Sequence, residues 1–144
     1  MGKDVWIKFK KLSERSRIPC FAHADDACFD LFSPVNQTIP AGKSVVIDLE
    51  IASEFPPGYE VVLRPRSGMG IKKALFIHLG TIDAGYRGNW IVRLFNFSEE
   101  PYDIHQEDRI VQGALRKIPT VHILESFDLS PSERGENGLG STGR

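Results

Sequence analysis

The chain has 144 residues, of which 41% are hydrophobic and 26% charged, with a formal net charge of -1. A single domain of this size buries enough surface to fold without staples. The balanced charge excludes a general nucleic-acid or membrane-surface binder, which shows a basic excess, and no apolar run approaches the ~20 residues that span a bilayer.

Cys20 and Cys28 match no zinc spacing and read as reduced thiols, with a disulfide as the alternative. His23, His78, His105 and His122 show no ligand spacing and read as surface or core residues. Residues 1–10 lack the apolar stretch of a signal peptide, and Trp6 stands where a myristoylation signal wants Ser or Thr. The expected location is the cytoplasm.

In chain order, the periodicity is that of strands. Val5–Phe9 alternates, as does Ser44–Glu50. Tyr59–Leu63, Leu75–Leu79, Trp90–Asn96, Arg109–Leu115 and Val121–Leu124 are further short runs rich in Val, Ile, Leu and aromatics. Gly, Pro, Asn or Asp separate most of them, which predicts a sandwich or barrel. Ser67–Ala74 is the candidate short helix, with Ser67 as its cap, although Gly68 and Gly70 weaken it.

Five segments carry candidate chemistry. In Ala27-Cys28-Phe29-Asp30-Leu31-Phe32, the carboxylate of Asp30 is flanked by apolar residues and needs a cation, backbone donors or hydrated metal. Arg64-Pro65-Arg66-Ser67-Gly68-Met69-Gly70 places guanidiniums, a hydroxyl and glycines at a helix start. That is either a phosphate cradle or a charged turn at a strand end. It is not a Walker loop, because the spacing differs and the Lys-Ser/Thr pair is missing. Gly80-Thr81-Ile82-Asp83-Ala84-Gly85-Tyr86-Arg87-Gly88-Asn89 lies between two apolar strands, so a β-hairpin is expected. Asp83 is there either a turn former or a base for water, and Tyr86 either a sugar-pocket wall or packing. In Glu107-Asp108-Arg109-Ile110-Val111-Gln112, alternation puts Gln112 on the face of Ile110, to bond a ligand or a neighbour. The glycine-rich stretch from Arg134 to Arg144 is either a disordered tail or an arm that closes over an anion.

Taken together and in this order, these segments resemble the five motifs of the trimeric dUTPase family across nearly the whole chain. They are Ala27–Leu31, Arg64–Gly68, Gly80–Gly88, Asp108–Gln112 and Arg134–Gly143. The resemblance implies an all-β, jelly-roll-like β-barrel with at most one short helix, spanning residues 1–133, and a phosphate-closing arm over 134–144. It implies a homotrimer in which each site draws on three subunits: one giving the first, second and fourth motifs, another the hairpin, a third the arm.

The implied activity is hydrolysis of dUTP to dUMP and pyrophosphate with Mg2+. Asp83 would orient the attacking water and touch the sugar 3′-hydroxyl, and Tyr86 would exclude a 2′-hydroxyl. Backbone around Leu79, Gly80 and Ile82 would read uracil. Arg66, Ser67, Gly68 and Gln112 would bind phosphates, while Arg134, Gly140, Ser141 and Thr142 would close over them. Asp30 would hold Mg2+ through water. The chain departs from the family at Leu139, where a base-stacking Phe is usual, and at Cys28 (Gly), Phe29 (Tyr) and Glu107 (Gly).

Two other readings compete with this one. The related dCTP deaminases carry a Glu after the third motif where Arg93 stands here, which argues against deamination. A non-catalytic nucleotide-binding regulator would have lost Asp83 or the phosphate ligands, and these are present.

Overall fold

A computed structural model describes residues 4–140 and 142–143. Eleven strands and one helix follow in chain order. They are β1 (Lys8–Lys11), β2 (Phe29–Phe32), β3 (Gln37–Ile39), β4 (Ser44–Asp48), β5 (Ile51–Glu54) and β6 (Tyr59–Arg64). After them come α1 (Ser67–Lys73), β7 (Leu75–Ile77), β8 (Thr81–Asp83), β9 (Ile91–Asn96), β10 (Tyr102–Ile104) and β11 (Arg109–Lys117). The strands form a four-stranded sheet β2-β11-β6-β8, a three-stranded sheet β4-β9-β7, and the pairs β1-β5 and β10-β3. All pairings are antiparallel. The all-β jelly-roll-type expectation holds, but the sheets wrap one core without closing into a continuous barrel.

Alternation builds that core. On β9, Val92, Leu94 and Asn96 point inward while Ile91 and Arg93 face out. On β6, Val61 and Leu63 point inward and meet Trp90, Leu31, Ile51 and Phe55 in one cluster. Each such side chain contributes about 1.5–3 kcal/mol by leaving water. The buried amide of Asn96 is satisfied by bonds to the carbonyls of Ile39 (3.0 Å) and Glu100 (2.8 Å) and from the Ser98 N–H (3.0 Å).

Several elements differ from the sequence expectation. β1 starts at Lys8, not Val5, because its ladder to β5 begins at Lys8–Glu54. β4 stops at Asp48, since Glu50 turns the chain with φ 55. Val121–Leu124 is not a strand: among the described residues no strand pairs with it, and its side chains are exposed. The helix is capped by Arg66, not Ser67: Arg66 has extended backbone (φ -79, ψ 140) and Ser67 is the first helical residue. Ala74 ends the helix in a left-handed conformation (φ 52), its N–H donating to Met69. The expected hairpin is also more elaborate. β7 and β9 pair directly, and the segment between them sends β8 across to β6. Finally, a bulge between Arg109 and Val111 buries both Ile110 and Val111, so simple alternation does not set the face of Gln112. The cysteines are free thiols.

Candidate active site

The residues singled out in the sequence fall into three clusters that share no lining residue. The first is the excursion between β7 and β9. It forms a cavity of about 240 Å3 lined by His78, Gly80, Thr81, Ile82, Asp83, Tyr86 and Asn89, with Leu63 and Ile91 as apolar wall. β8 alternates here, so the Ile82 side chain enters the core while Thr81 and Asp83 face outward. Ile82 can therefore serve a ligand only through its backbone. The Gly80 carbonyl already accepts from the Leu63 N–H at 2.9 Å, which fixes the loop against β6.

Asp83 closes a turn through its backbone carbonyl, which accepts from the Tyr86 N–H at 3.0 Å. Among the described residues its carboxylate takes no hydrogen bond or ion pair and is exposed. Tyr86 is held rigidly by comparison. Its hydroxyl donates to the Asn89 carbonyl at 2.8 Å, and its ring lies across Gly88, where a Cβ would come within 2.6 Å of the ring Cζ. Arg87 braces the same loop by donating to the Ala84 carbonyl at 2.6 Å. Leu79 is almost fully exposed beside this cavity.

The second cluster sits where β2, β11 and the start of α1 meet. Asp30, Arg66, Ser67, Gly68 and Gln112 line a cavity of about 450 Å3 together with Ala22, His23, Asp26, Ala27 and Cys28. Asp30 pairs with Gln112 across the β2–β11 ladder, so strand register brings these two together. The buried Asp30 carboxylate is held by two arginines: Arg66 Nε at 3.0 Å and Arg109 Nε at 3.1 Å. Of the partners its burial demanded, the cation is the one supplied. Arg66 Nη1 donates to the Arg109 carbonyl at 3.1 Å, and Gln112 Nε2 to the Pro65 carbonyl at 3.0 Å. Gln112 thus clamps the end of β6. The first intrahelical bond runs from the Gly70 N–H to Arg66, so the N–H groups of Ser67, Gly68 and Met69 have no helical acceptor. Ser67 and Gly68 line the cavity beside the guanidinium of Arg66, so its rim is rich in donors. Close by, burial and the neighbouring Asp108 raise the Tyr102 phenol, which stays neutral.

Mg2+ keeps most of its water and binds through one or two carboxylates plus substrate phosphates. Each Asp30 oxygen gives one lone pair to an arginine and keeps another for water, and Asp26 lines the same cavity. This donor set suits an outer-sphere hold on a hydrated ion. Among the described residues no group of three acidic, His or Cys side chains could cage a metal directly.

The third cluster is the chain end. Arg134 donates to the carbonyls of Asn137 (2.8 Å) and Gly138 (3.5 Å), and it lines a surface hollow with Thr142. Leu139 and Gly140 are exposed. Ser141 lies outside the described residues. His78, Asn89, Leu63 and Ile91 were not among the predicted site residues. Strand periodicity carries no signal for a side chain that reaches a cavity by a break in the ladder.

An antiparallel β-fold with a donor-rich, arginine-bearing hollow and a second hollow around an unpaired carboxylate has the makings of a site for an anionic ligand. The dUTPase family model matches residues 14–143. The chain is 39% identical to the deoxyuridine 5'-triphosphate nucleotidohydrolase of Nautilia profundicola over 140 residues, covering 96% of this chain and 99% of that relative. Identity to the protein of the same name from Clostridium tetani is also 39%, over 98% of this chain and 99% of that one. Among solved structures, a variant dUTPase of Staphylococcus bacteriophage 80alpha with dUpNHpp superposes with TM-score 0.89 at 30% identity, covering 96% of this chain and 99% of its own. A variant dUTPase from phage phi11 of S. aureus, described as revealing the coordination of a structural Mg(II) ion, gives TM-score 0.81 at 26% identity, covering 88% and 99%. The chain belongs to the dUTPase family.

Proposed function

We propose that the chain hydrolyses dUTP to dUMP and pyrophosphate, as the names of its relatives indicate, limiting uracil in DNA and supplying dUMP. The observation that carries the mechanism is the unengaged carboxylate of Asp83, at the cavity whose wall is the fixed ring of Tyr86. A base must be free to take a proton, and a discriminating wall must not move.

On this reading water attacks the α-phosphorus, its proton passes to Asp83, and the bond from the α-phosphorus to the bridging oxygen breaks to release pyrophosphate. Asp83 also bonds the 3′-hydroxyl. Tyr86 packs under the deoxyribose and leaves no space for a 2′-hydroxyl. Backbone of Leu79, Gly80 and Ile82 reads the uracil edge, and the narrow cavity rejects a 5-methyl group. Arg66, Ser67, Gly68 and Gln112 orient the phosphates, and Arg134, Gly140, Ser141 and Thr142 close over them while Leu139 covers the base. Hydrated Mg2+, held through water by Asp30, would neutralise triphosphate charge when bound. The protein's own contribution is positioning plus charge complementarity.

That the cavity, the arginine rim and the arm share no lining residue within one chain supports a homotrimer with shared sites, and the cytoplasm is its proposed place of action. Incubation with Mg2+ and, separately, dUTP, dCTP, dTTP and UTP tests the reading, with products separated by ion exchange. dUMP and pyrophosphate from dUTP alone, abolished by Asp83→Asn, are expected. Binding of dUTP without turnover would leave a regulator, and uracil nucleotides from dCTP would mean deamination despite Arg93.

A further inference from the structure

One polar group at the nucleoside cavity has no part in the roles above. β7 ends at Ile77, which pairs with Leu94. The next step of the ladder brings His78 opposite Arg93, and the His78 N–H donates to the Arg93 carbonyl at 3.1 Å. The reciprocal bond is not made to backbone. The Arg93 N–H donates instead to His78 Nδ1, at 3.1 Å. The imidazole replaces its own carbonyl in the ladder, and the chain is released to turn toward Gly80.

This substitution fixes the chemistry of the ring. A neutral imidazole has one donor and one acceptor nitrogen, and Nδ1 is the acceptor. Nε2 therefore carries the proton. It lies over Gly80, where a Cβ would sit 3.0 Å from it, and the His78 side chain lines the cavity. No described group accepts from Nε2. The cavity thus holds a donor of known direction and no internal partner.

We propose that Nε2–H of His78 donates to O4 of the pyrimidine, making His78 a specificity-determining residue for an oxo over an amino base. Uracil presents an acceptor at that position, whereas cytosine presents an amino donor that would face the N–H head-on. The span of β8 selects O4 over O2. Asp83 serves the sugar at one end of the strand, and Gly80 lies at the other. Three residues of strand cover about 10 Å, comparable with the reach from a sugar hydroxyl to the far edge of a base. The inference rests on the dUTP reading above. It adds nothing against dTTP, because thymine also carries O4.

Two substitutions separate the ring's two jobs. His78→Asn keeps a short side-chain acceptor for the Arg93 N–H and removes the far donor. His78→Gln restores an amide N–H near the Nε2 position. Calorimetric titration with dUMP and with dCMP, beside turnover of dUTP and dCTP, gives the ratio that matters. His78→Asn is expected to lower the preference for dUMP over dCMP at least about tenfold, with part of it recovered in His78→Gln. Nitrogen-15 spectra of the histidine rings in the native protein should show the Nε2–H tautomer at His78, with that proton moving downfield on addition of dUMP and not of dCMP. If the native protein turns over dUTP but His78→Asn keeps the native preference, or the spectra show Nδ1–H, this inference fails and the activity stands. If the native protein neither binds nor turns over dUTP, both fall.

Discussion

At Gly88 the chain has no room for a side chain, because the Tyr86 ring occupies the space that a Cβ would take. The overlap is too deep for a small adjustment, so the Tyr86 ring must swing aside and give up its hydroxyl bond to the Asn89 carbonyl. Gly88→Ala should displace Tyr86 and weaken rejection of UTP. The ratio of kcat/KM for dUTP over UTP is expected to fall at least about tenfold, while the melting temperature moves little, since Tyr86 is exposed and outside the core. Glu107 is the opposite case. It stands where the family usually has Gly, and its φ is 71, a left-handed conformation that costs a side chain about 1–2 kcal/mol. The turn is imposed by Ser33, whose carbonyl accepts from the Glu107 N–H at 2.8 Å and whose N–H donates to the Asp108 carbonyl at 2.9 Å. Glu107→Gly should raise the melting temperature by a few degrees with no change in turnover. Leu139→Phe should lower KM for dUTP through base stacking, typically about 1–3 kcal/mol, and an unchanged KM would sink that idea.

Among the elements, the corner between β4 and β5 carries the clearest response to acid. Arg15 donates to the Glu50 carboxylate through Nε (2.9 Å), and Ser13 donates as well, so the group is held below its ordinary value of 4.5. A carboxyl with a depressed folded pKa stabilises above its unfolded pKa, and that contribution is lost as pH falls through the folded value. Thermal melts from about pH 7 downward should show the native protein losing stability below about pH 5, and Glu50→Gln losing less over the same window while being less stable at neutral pH. Most strands were legible in the sequence because alternation is a local property. Partnering is not, which is why β8 was read as part of a simple hairpin and not as a strand carried across to β6. Local pattern likewise misassigned Val121–Leu124, which has β-prone residues but no ladder among the described residues. The five motif segments were recognisable, yet whether Asp30 met a metal or an arginine, and where His78 pointed, depended on contacts distant in sequence.

For the molecule as a whole, the stretch after β11 is exposed and still apolar: Val121, Ile123, Leu124, Phe127 and Leu129 are each at least 72% accessible. A run of large hydrophobic side chains does not stay in water if a surface is offered, and a second subunit is the partner that the proposed assembly supplies. Truncation before Arg134 should cut turnover sharply while sedimentation still reports the trimer, because the apolar stretch is kept. A truncated chain that sedimented as a monomer would contradict the assignment of Arg134 onward to the site alone. Since the cavity at Asp83 and the arginine rim share no lining residue, a substitution in one is expected to leave the other whole. Two inactive proteins should therefore rescue each other. If subunits carrying Asp83→Asn and subunits carrying Arg66→Ala are unfolded, mixed equally and reassembled, about a quarter of the sites will combine an intact cavity with an intact rim. In genetic terms the two lesions should complement within one gene, and an Asp83→Asn allele expressed beside the native one should poison mixed trimers only in proportion to its share.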